Sequence, residues 1–175
     1  MENPILLAAR VAADAHRGQT RYDGEPYINH PMRVAGTVSL VDYTTVPLVV
    51  SAWLHDVVED ADVSLATIQE MFGPTVANLV GHMTNVYTKD AYPKMNRKER
   101  KRAEVERLAS TDNYSVHTLK LADRYDNTHK MLARGRSWAR TYVRETEDLA
   151  DALTAGDSQL RKLLVKRAKR LRKQL

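Results

Sequence analysis

The run Trp53-Leu54-His55-Asp56-Val57-Val58-Glu59-Asp60 places an imidazole and three carboxylates within six residues. On a helix of 3.6 residues per turn, positions 55 and 59, 56 and 60, and 56 and 59 share one surface. Like charges gathered on a mostly apolar helix cost stability unless a cation compensates them, which a divalent metal does well. Read alone, the segment is equally an acidic helix end facing water. A second carboxylate stands in Leu119-Lys120-Leu121-Ala122-Asp123-Arg124, with Asn127 one turn beyond. Burying Asp123 beside Leu121 and Ala122 requires either a metal or an ion pair with Lys120 or Arg124. The third group, His30 in Tyr27-Ile28-Asn29-His30-Pro31, stands at the entry of a helix and by itself reads as a packed histidine. The chain has no cysteine, so disulfide scaffolds, thiolate zinc sites, iron–sulfur clusters and cysteine nucleophiles are excluded. Any metal is held by nitrogen and oxygen.

The elements that must position these groups read as helices throughout. Apolar residues recur at helical spacing, as in Ile5, Leu6, Ala9, Ala12 and Ala13, and strand-like alternation is nearly absent. Asn3-Pro4 opens a first helix that ends before Gly18. Pro47 opens an apolar helix to about Asp60, and Ser64 caps a helix closed by Gly73, with Pro74 opening the next. Further helices are expected near 97–109, 115–132, 138–154 and 158–173. The fold class is therefore all-α: about eight helices forming one compact domain over residues 1–175, long enough to enclose a core around a pocket. Two irregular stretches stand out. Gly18 to Asn29 carries a lone Arg21 and the turn signals Asp23-Gly24 and Glu25-Pro26, and Tyr87 to Asn96 is a polar loop.

The formal charge of +5 is unevenly spread. Arg161 to Lys173 contains eight basic residues and no acid, so residues 1–160 carry 19 basic against 22 acidic side chains. A second basic cluster, Lys94, Arg97, Lys98, Arg100, Lys101 and Arg102, is interrupted among charged residues only by Glu99. Basic charge confined to two segments, without a recognised module, argues against a nucleic-acid partner. The C-terminal helix sets Leu160, Leu163, Leu164, Ala168 and Leu171 on one face and most simply docks on the core. With no leader-like N-terminus and no apolar run that spans a bilayer, a cytoplasmic protein without membrane contact is expected. A homo-oligomer remains open.

The order His30, His55-Asp56, Asp123 matches the H…HD…D pattern of the HD phosphohydrolases. The match narrows further along the chain. His16-Arg17-Gly18-Gln19-Thr20-Arg21 and Asp23-Gly24-Glu25-Pro26-Tyr27-Ile28-Asn29-His30-Pro31 closely resemble the HxGQxR…GEPYxxHP signature of the hydrolase domain in RelA/SpoT homologues. So do residues 54–60, Phe72-Gly73 and Lys120-Leu121-Ala122-Asp123-Arg124. The resemblance runs nearly end to end, and nothing resembles a synthetase or regulatory segment. It therefore points to the stand-alone small alarmone hydrolases such as the metazoan SpoT homologues.

That resemblance implies removal of the 3′-pyrophosphate from (p)ppGpp. The metal, usually manganese in that family, would be held by His30, His55, Asp56 and Asp123, with Glu59 and Asp60 orienting or deprotonating the attacking water. It assigns Arg21 to stacking on the base, and Asn127 and Tyr142 to the nucleotide. Lys94, Arg97 or Lys98 would meet the pyrophosphate charge. His16 belongs to the motif and supports the Arg21 loop; His82, His117 and His129 have no place in the metal shell. The chain departs from the family pattern at Tyr22, where lysine is common, at Asp23, where serine is, at Lys130 in place of threonine, and at Trp138 in place of arginine. These changes leave guanine preference open and make (p)ppApp a second expected substrate. Another nucleotide such as NADPH, or a catalytically idle nucleotide-binding HD domain, are the alternative readings.

Overall fold

The computed structural model describes residues 2–129 and 131–175, so Lys130 lies outside the described residues. Among them are ten α-helices, one 3-10 turn and no strand. The all-α expectation therefore holds. Contacts sort the chain into two compact units, Met1–Thr84 and Asn85–Leu175.

The first unit contains α1 (Pro4–Ala15), α2 (Asn29–Val38), α3 (Val46–Leu54), α4 (Val57–Asp60), α5 (Leu65–Phe72) and α6 (Pro74–Met83). Its centre is α3, whose sequence is apolar on nearly every face. Leu48, Val50, Ala52 and Leu54 are buried there, and α1, α2 and α6 all pack on it. Small residues set the approach of α1, where Ala8 and Ala12 are fully buried. Each large aliphatic side chain withdrawn from water in this layer contributes about 1.5–3 kcal/mol.

The second unit contains α7 (Arg97–Ala109), α8 (Tyr114–Asn127), the 3-10 turn Met131–Arg134, α9 (Arg136–Ala152) and α10 (Ser158–Arg172). In it α10 lays Leu160, Leu164, Ala168 and Leu171 inward, packing on α9 and α8, whereas Leu163, expected on the same face, lies at its edge and is half exposed. Met131, Ala139, Val143, Ala168 and Leu171 form one of its apolar clusters.

Helix starts follow their capping chemistry. Asn3, Thr45, Ser64, Asn113 and Asp157 each accept a backbone N–H two or three residues on, and Asn96 with Glu99 forms a reciprocal capping box. Two expected helices are cut short. The one from Pro47 to Asp60 is interrupted at His55-Asp56, because the His55 imidazole occupies the Ala52 carbonyl that a continuing helix would offer to the Asp56 N–H. The expected 115–132 helix stops at Asn127, where the Thr128 hydroxyl turns back to the Tyr125 carbonyl at 2.6 Å. The Gly18–Asn29 stretch, in turn, is a short hairpin-like loop. Its rungs are Tyr27 N–H to the Gln19 carbonyl (3.0 Å) and Arg21 N–H to the Glu25 carbonyl (2.8 Å), with Gly24 at φ +83° at the tip.

Candidate active site

His30, one residue inside α2, and His55, at the end of α3, meet in the first unit with their Nε2 atoms 3.2 Å apart. Asp56 joins them. Its Oδ2 lies 3.2 Å from His55 Nε2 and 3.4 Å from His30 Nε2. Both imidazoles are 1% exposed, and the three ligand atoms fall within 4.8 Å of one another. The protonation of His55 follows from its partner. A carbonyl can only accept, so His55 Nδ1, 2.8 Å from the Ala52 oxygen, carries a hydrogen, and Nε2, facing His30 and Asp56, meets that carboxylate favourably only through a proton of its own or through a metal cation. A buried lone pair aimed at a carboxylate is unfavourable unless a cation lies between them. Two imidazole nitrogens and one carboxylate oxygen, with the second nitrogen of His55 fixed by a backbone carbonyl, fit a divalent metal. Burial alone would push the Asp56 carboxyl up, but the His55 and His30 rings facing it outweigh burial and hold it well below the usual carboxylate range.

The same carboxylate is tied to Asp60 through Tyr27. The Tyr27 hydroxyl lies 2.8 Å from Asp56 Oδ2 and 2.7 Å from Asp60 Oδ2, so its single proton is shared between two carboxylates. Burial, then the neighbouring Asp56 and Asp60, hold this phenol far above its ordinary range, so it remains a donor. The Asp60 backbone is gripped as well, its carbonyl accepting from Gln19 Nε2 at 2.7 Å. His16 completes the support. Its ring stacks on Tyr27 with centroids 4.6 Å apart, and its Nδ1 meets Gln19 Oε1 at 2.9 Å. The motif loop thus clamps Asp60 at both side chain and main chain. Glu59 stands exposed in the single turn α4 that follows Asp56, and Arg21 is half-buried in the loop whose backbone closes on Glu25.

In the second unit, Asp123 is 7% exposed on α8. Lys120 Nζ lies 3.1 Å from its Oδ2, and Asn127 Nδ2 donates to its Oδ1. The Lys120 ion pair weighed from the sequence is present, and Asn127 faces Asp123 one turn away. Tyr142 on α9 lies in a ladder of alternating rings and cations. The Arg124 guanidinium lies 4.4 Å from its ring centroid, Trp138 stacks on it at 4.7 Å, and Arg134 lies 4.4 Å from the Trp138 ring. Arg134 thus sets a cation against Trp138, the residue that stands where the resemblance led to an arginine being expected. Of the three expected phosphate contacts, Lys94 and Lys98 are exposed and Arg97 is engaged by both Glu145 carboxylate oxygens.

Sequence reasoning gave no role to Tyr27, Gln19 or Lys101, and weighed Arg124 only as an ion-pair partner of Asp123. The first two lie inside the quoted motif, in the loop before α2, where no helical spacing marks which way a side chain points.

Comparison with known proteins agrees with this geometry. The family model described as HD domain matches residues 8–157. The Escherichia coli bifunctional (p)ppGpp synthase/hydrolase SpoT is 34% identical over 156 residues, covering 85% of this chain and 21% of that protein. The chain thus spans about a fifth of that relative. A Danio rerio guanosine-3′,5′-bis(diphosphate) 3′-pyrophosphohydrolase is 33% identical over 156 residues, covering 87% of this chain and 83% of that one. A solved structure described as a metazoan ortholog of SpoT that hydrolyzes ppGpp superposes with a TM-score of 0.84 at 28% identity, covering 100% of this chain and 98% of the other. The chain belongs to the HD-domain family and, within it, to the SpoT homologues.

Proposed function

We propose that this chain is a metal-dependent pyrophosphohydrolase that removes the 3′-pyrophosphate from (p)ppGpp, leaving GDP or GTP and releasing pyrophosphate. The carrying observation is the convergence of His30, His55 and Asp56 on one buried point, with Asp60 linked to the same carboxylate through Tyr27. The names of the Danio rerio and Escherichia coli relatives support the substrate. The family match runs across both compact units and supports reading them as one catalytic domain.

In this reading His30, His55, Asp56 and Asp123 hold the metal, and manganese suits their nitrogen and oxygen donors. A divalent ion held there would supply Lewis-acid polarisation of the scissile phosphate and a lowered pKa for the attacking water. Asp60, fixed by Tyr27 and Gln19, and Glu59 on the same turn take the proton that the attacking water loses. Arg21 offers a flat cation to the base, and Asn127 and Tyr142 meet the nucleotide. Tyr22 and Asp23 at the tip of the Arg21 loop loosen the demand for guanine, so (p)ppApp is a second substrate. The setting is cytoplasmic; among the described residues no helix is long and apolar enough to cross a membrane.

The test is a panel of ppGpp, pppGpp, ppApp, pppApp and NADPH incubated with the protein and manganese, with products identified. Pyrophosphate release from ppGpp or ppApp, abolished by Asp56→Ala, is expected. No turnover of either alarmone would overturn the assignment, and binding without turnover would instead indicate a nucleotide sensor.

A further inference from the structure

The second unit contains a buried cation that its own protein partners leave incomplete. Arg124 is 8% exposed, and its Nη1 has no hydrogen-bond partner. The nearby acids are already used. Asp123 faces Lys120 and Asn127, and Glu145 takes both ends of the Arg97 guanidinium. Lys101 stands one turn beyond Arg97 on α7, while Tyr142 stands nearly one turn before Glu145 on α9, so the two flank the Arg97–Glu145 pair on the packed faces. Burial and then the charges of Arg124 and Lys120 push the Lys101 ammonium down. Among the described residues, the charged groups acting most on Lys101 are three cations, Arg124, Lys120 and Arg97, and one carboxylate, Glu145. A guanidinium held without an acid partner in such surroundings is costly, and a multiply charged anion offsets that cost.

We propose that Arg124, braced on the Tyr142 ring and flanked by Lys101, is the seat of a pyrophosphate anion within the second unit, the anion that the proposed reaction releases. This rests on the pyrophosphohydrolase reading and deepens it. It moves the phosphate contact from the exposed Lys94 and Lys98 to a buried guanidinium and to Lys101. The planar fork of Arg124 suits two phosphoryl oxygens, and the ring beneath it fixes its plane without neutralising it. Orthophosphate, with less charge and a shorter span, binds more weakly to the same site.

The experiment is calorimetric titration of inorganic pyrophosphate and orthophosphate into the full chain in EDTA, repeated with manganese, for wild type, Arg124→Gln, Arg124→Lys, Lys101→Met and the surface control Arg102→Gln. Circular dichroism checks that each variant is folded. Pyrophosphate affinity should fall at least about tenfold in Arg124→Gln and Lys101→Met, a step equal to 1.4 kcal/mol. It should be partly kept in Arg124→Lys and unchanged in Arg102→Gln. A wild type that binds no pyrophosphate, or a folded Arg124→Gln that binds it as tightly as wild type, overturns the site. The two readings fail separately. Arg124-dependent pyrophosphate binding without alarmone turnover removes the proposed activity and keeps the site, whereas turnover with pyrophosphate affinity unchanged in Arg124→Gln removes the site and keeps the activity.

Discussion

Tyr27 shows how much of this site is decided by one hydroxyl. It joins the carboxylate facing the two imidazoles to Asp60, one of the two carboxylates proposed to take a proton, and a phenylalanine would keep the His16 stack while releasing both. Removing a hydrogen-bonding partner that orients such groups costs about 10–100-fold in activity or metal affinity. Tyr27→Phe is therefore expected to lower kcat for ppGpp by that range while leaving KM within about threefold; steady-state kinetics with a manganese titration measures both. An unchanged kcat would show that Asp60 needs no such tether. At this scale the sequence was informative where chemistry is carried by residue type. Two histidines and an adjacent aspartate in family order announce a nitrogen and oxygen metal set. It was silent about Tyr27, because a tyrosine in a turn-rich loop looks the same whether it points to water or to two carboxylates 29 and 33 residues away.

The break between α3 and α4 is the element on which the metal cluster depends. A continuous helix would have set His55 and Glu59, and Asp56 and Asp60, on one strip. Instead the turn at His55-Asp56 directs both side chains toward His30, while α4 carries Glu59 and Asp60 onward. Helix starts were legible because capping residues act locally. The break was not, since it depends on a histidine side chain competing for a backbone carbonyl, and periodicity contains no trace of that. A comparable tertiary constraint holds α8 against the turn before α10. His117 Nε2 donates to the Leu108 carbonyl, its Nδ1 accepts the Ala155 N–H, and Gly156 passes close behind. A Cβ at 156 would lie 2.8 Å from Leu121 Cδ1, 2.9 Å from His117 Cβ and 3.0 Å from the His117 carbonyl carbon, which is main chain and cannot swing away. Gly156→Ala is expected to destabilise the protein by about 1–3 kcal/mol. Thermal unfolding measures this as a fall in Tm of about 2–4 °C for each kcal/mol. A Tm equal to wild type would mean that the turn relaxes freely.

Over the whole chain, charge is where composition misleads most. The formal +5 invites a polyanion at the C-terminal helix, yet much of the cationic charge with structural consequence lies elsewhere, in the buried excess around Arg124 and Lys101. Like charges held together around Lys101 make the folded protein less stable than it would be without them, a cost that the proposed anion would offset. The pH dependence has a definite sign. The lowered Lys101 value means that the unfolded chain binds its proton more tightly than the folded one. The penalty is therefore fully present below the folded value, and it is relieved as pH rises from there toward 10.5, the ordinary lysine value. Lys101→Met removes the repulsion and keeps most of the apolar stem, so at pH 7 it should raise Tm, by about 2–4 °C for each kcal/mol relieved. That advantage should shrink as pH climbs toward 10.5. Scanning calorimetry of both proteins from pH 7 to 10 measures it. A Lys101→Met protein less stable than wild type at pH 7 would show that the attraction of Lys101 to Glu145 exceeds its repulsion by Arg124 and Lys120 together with the cost of its burial.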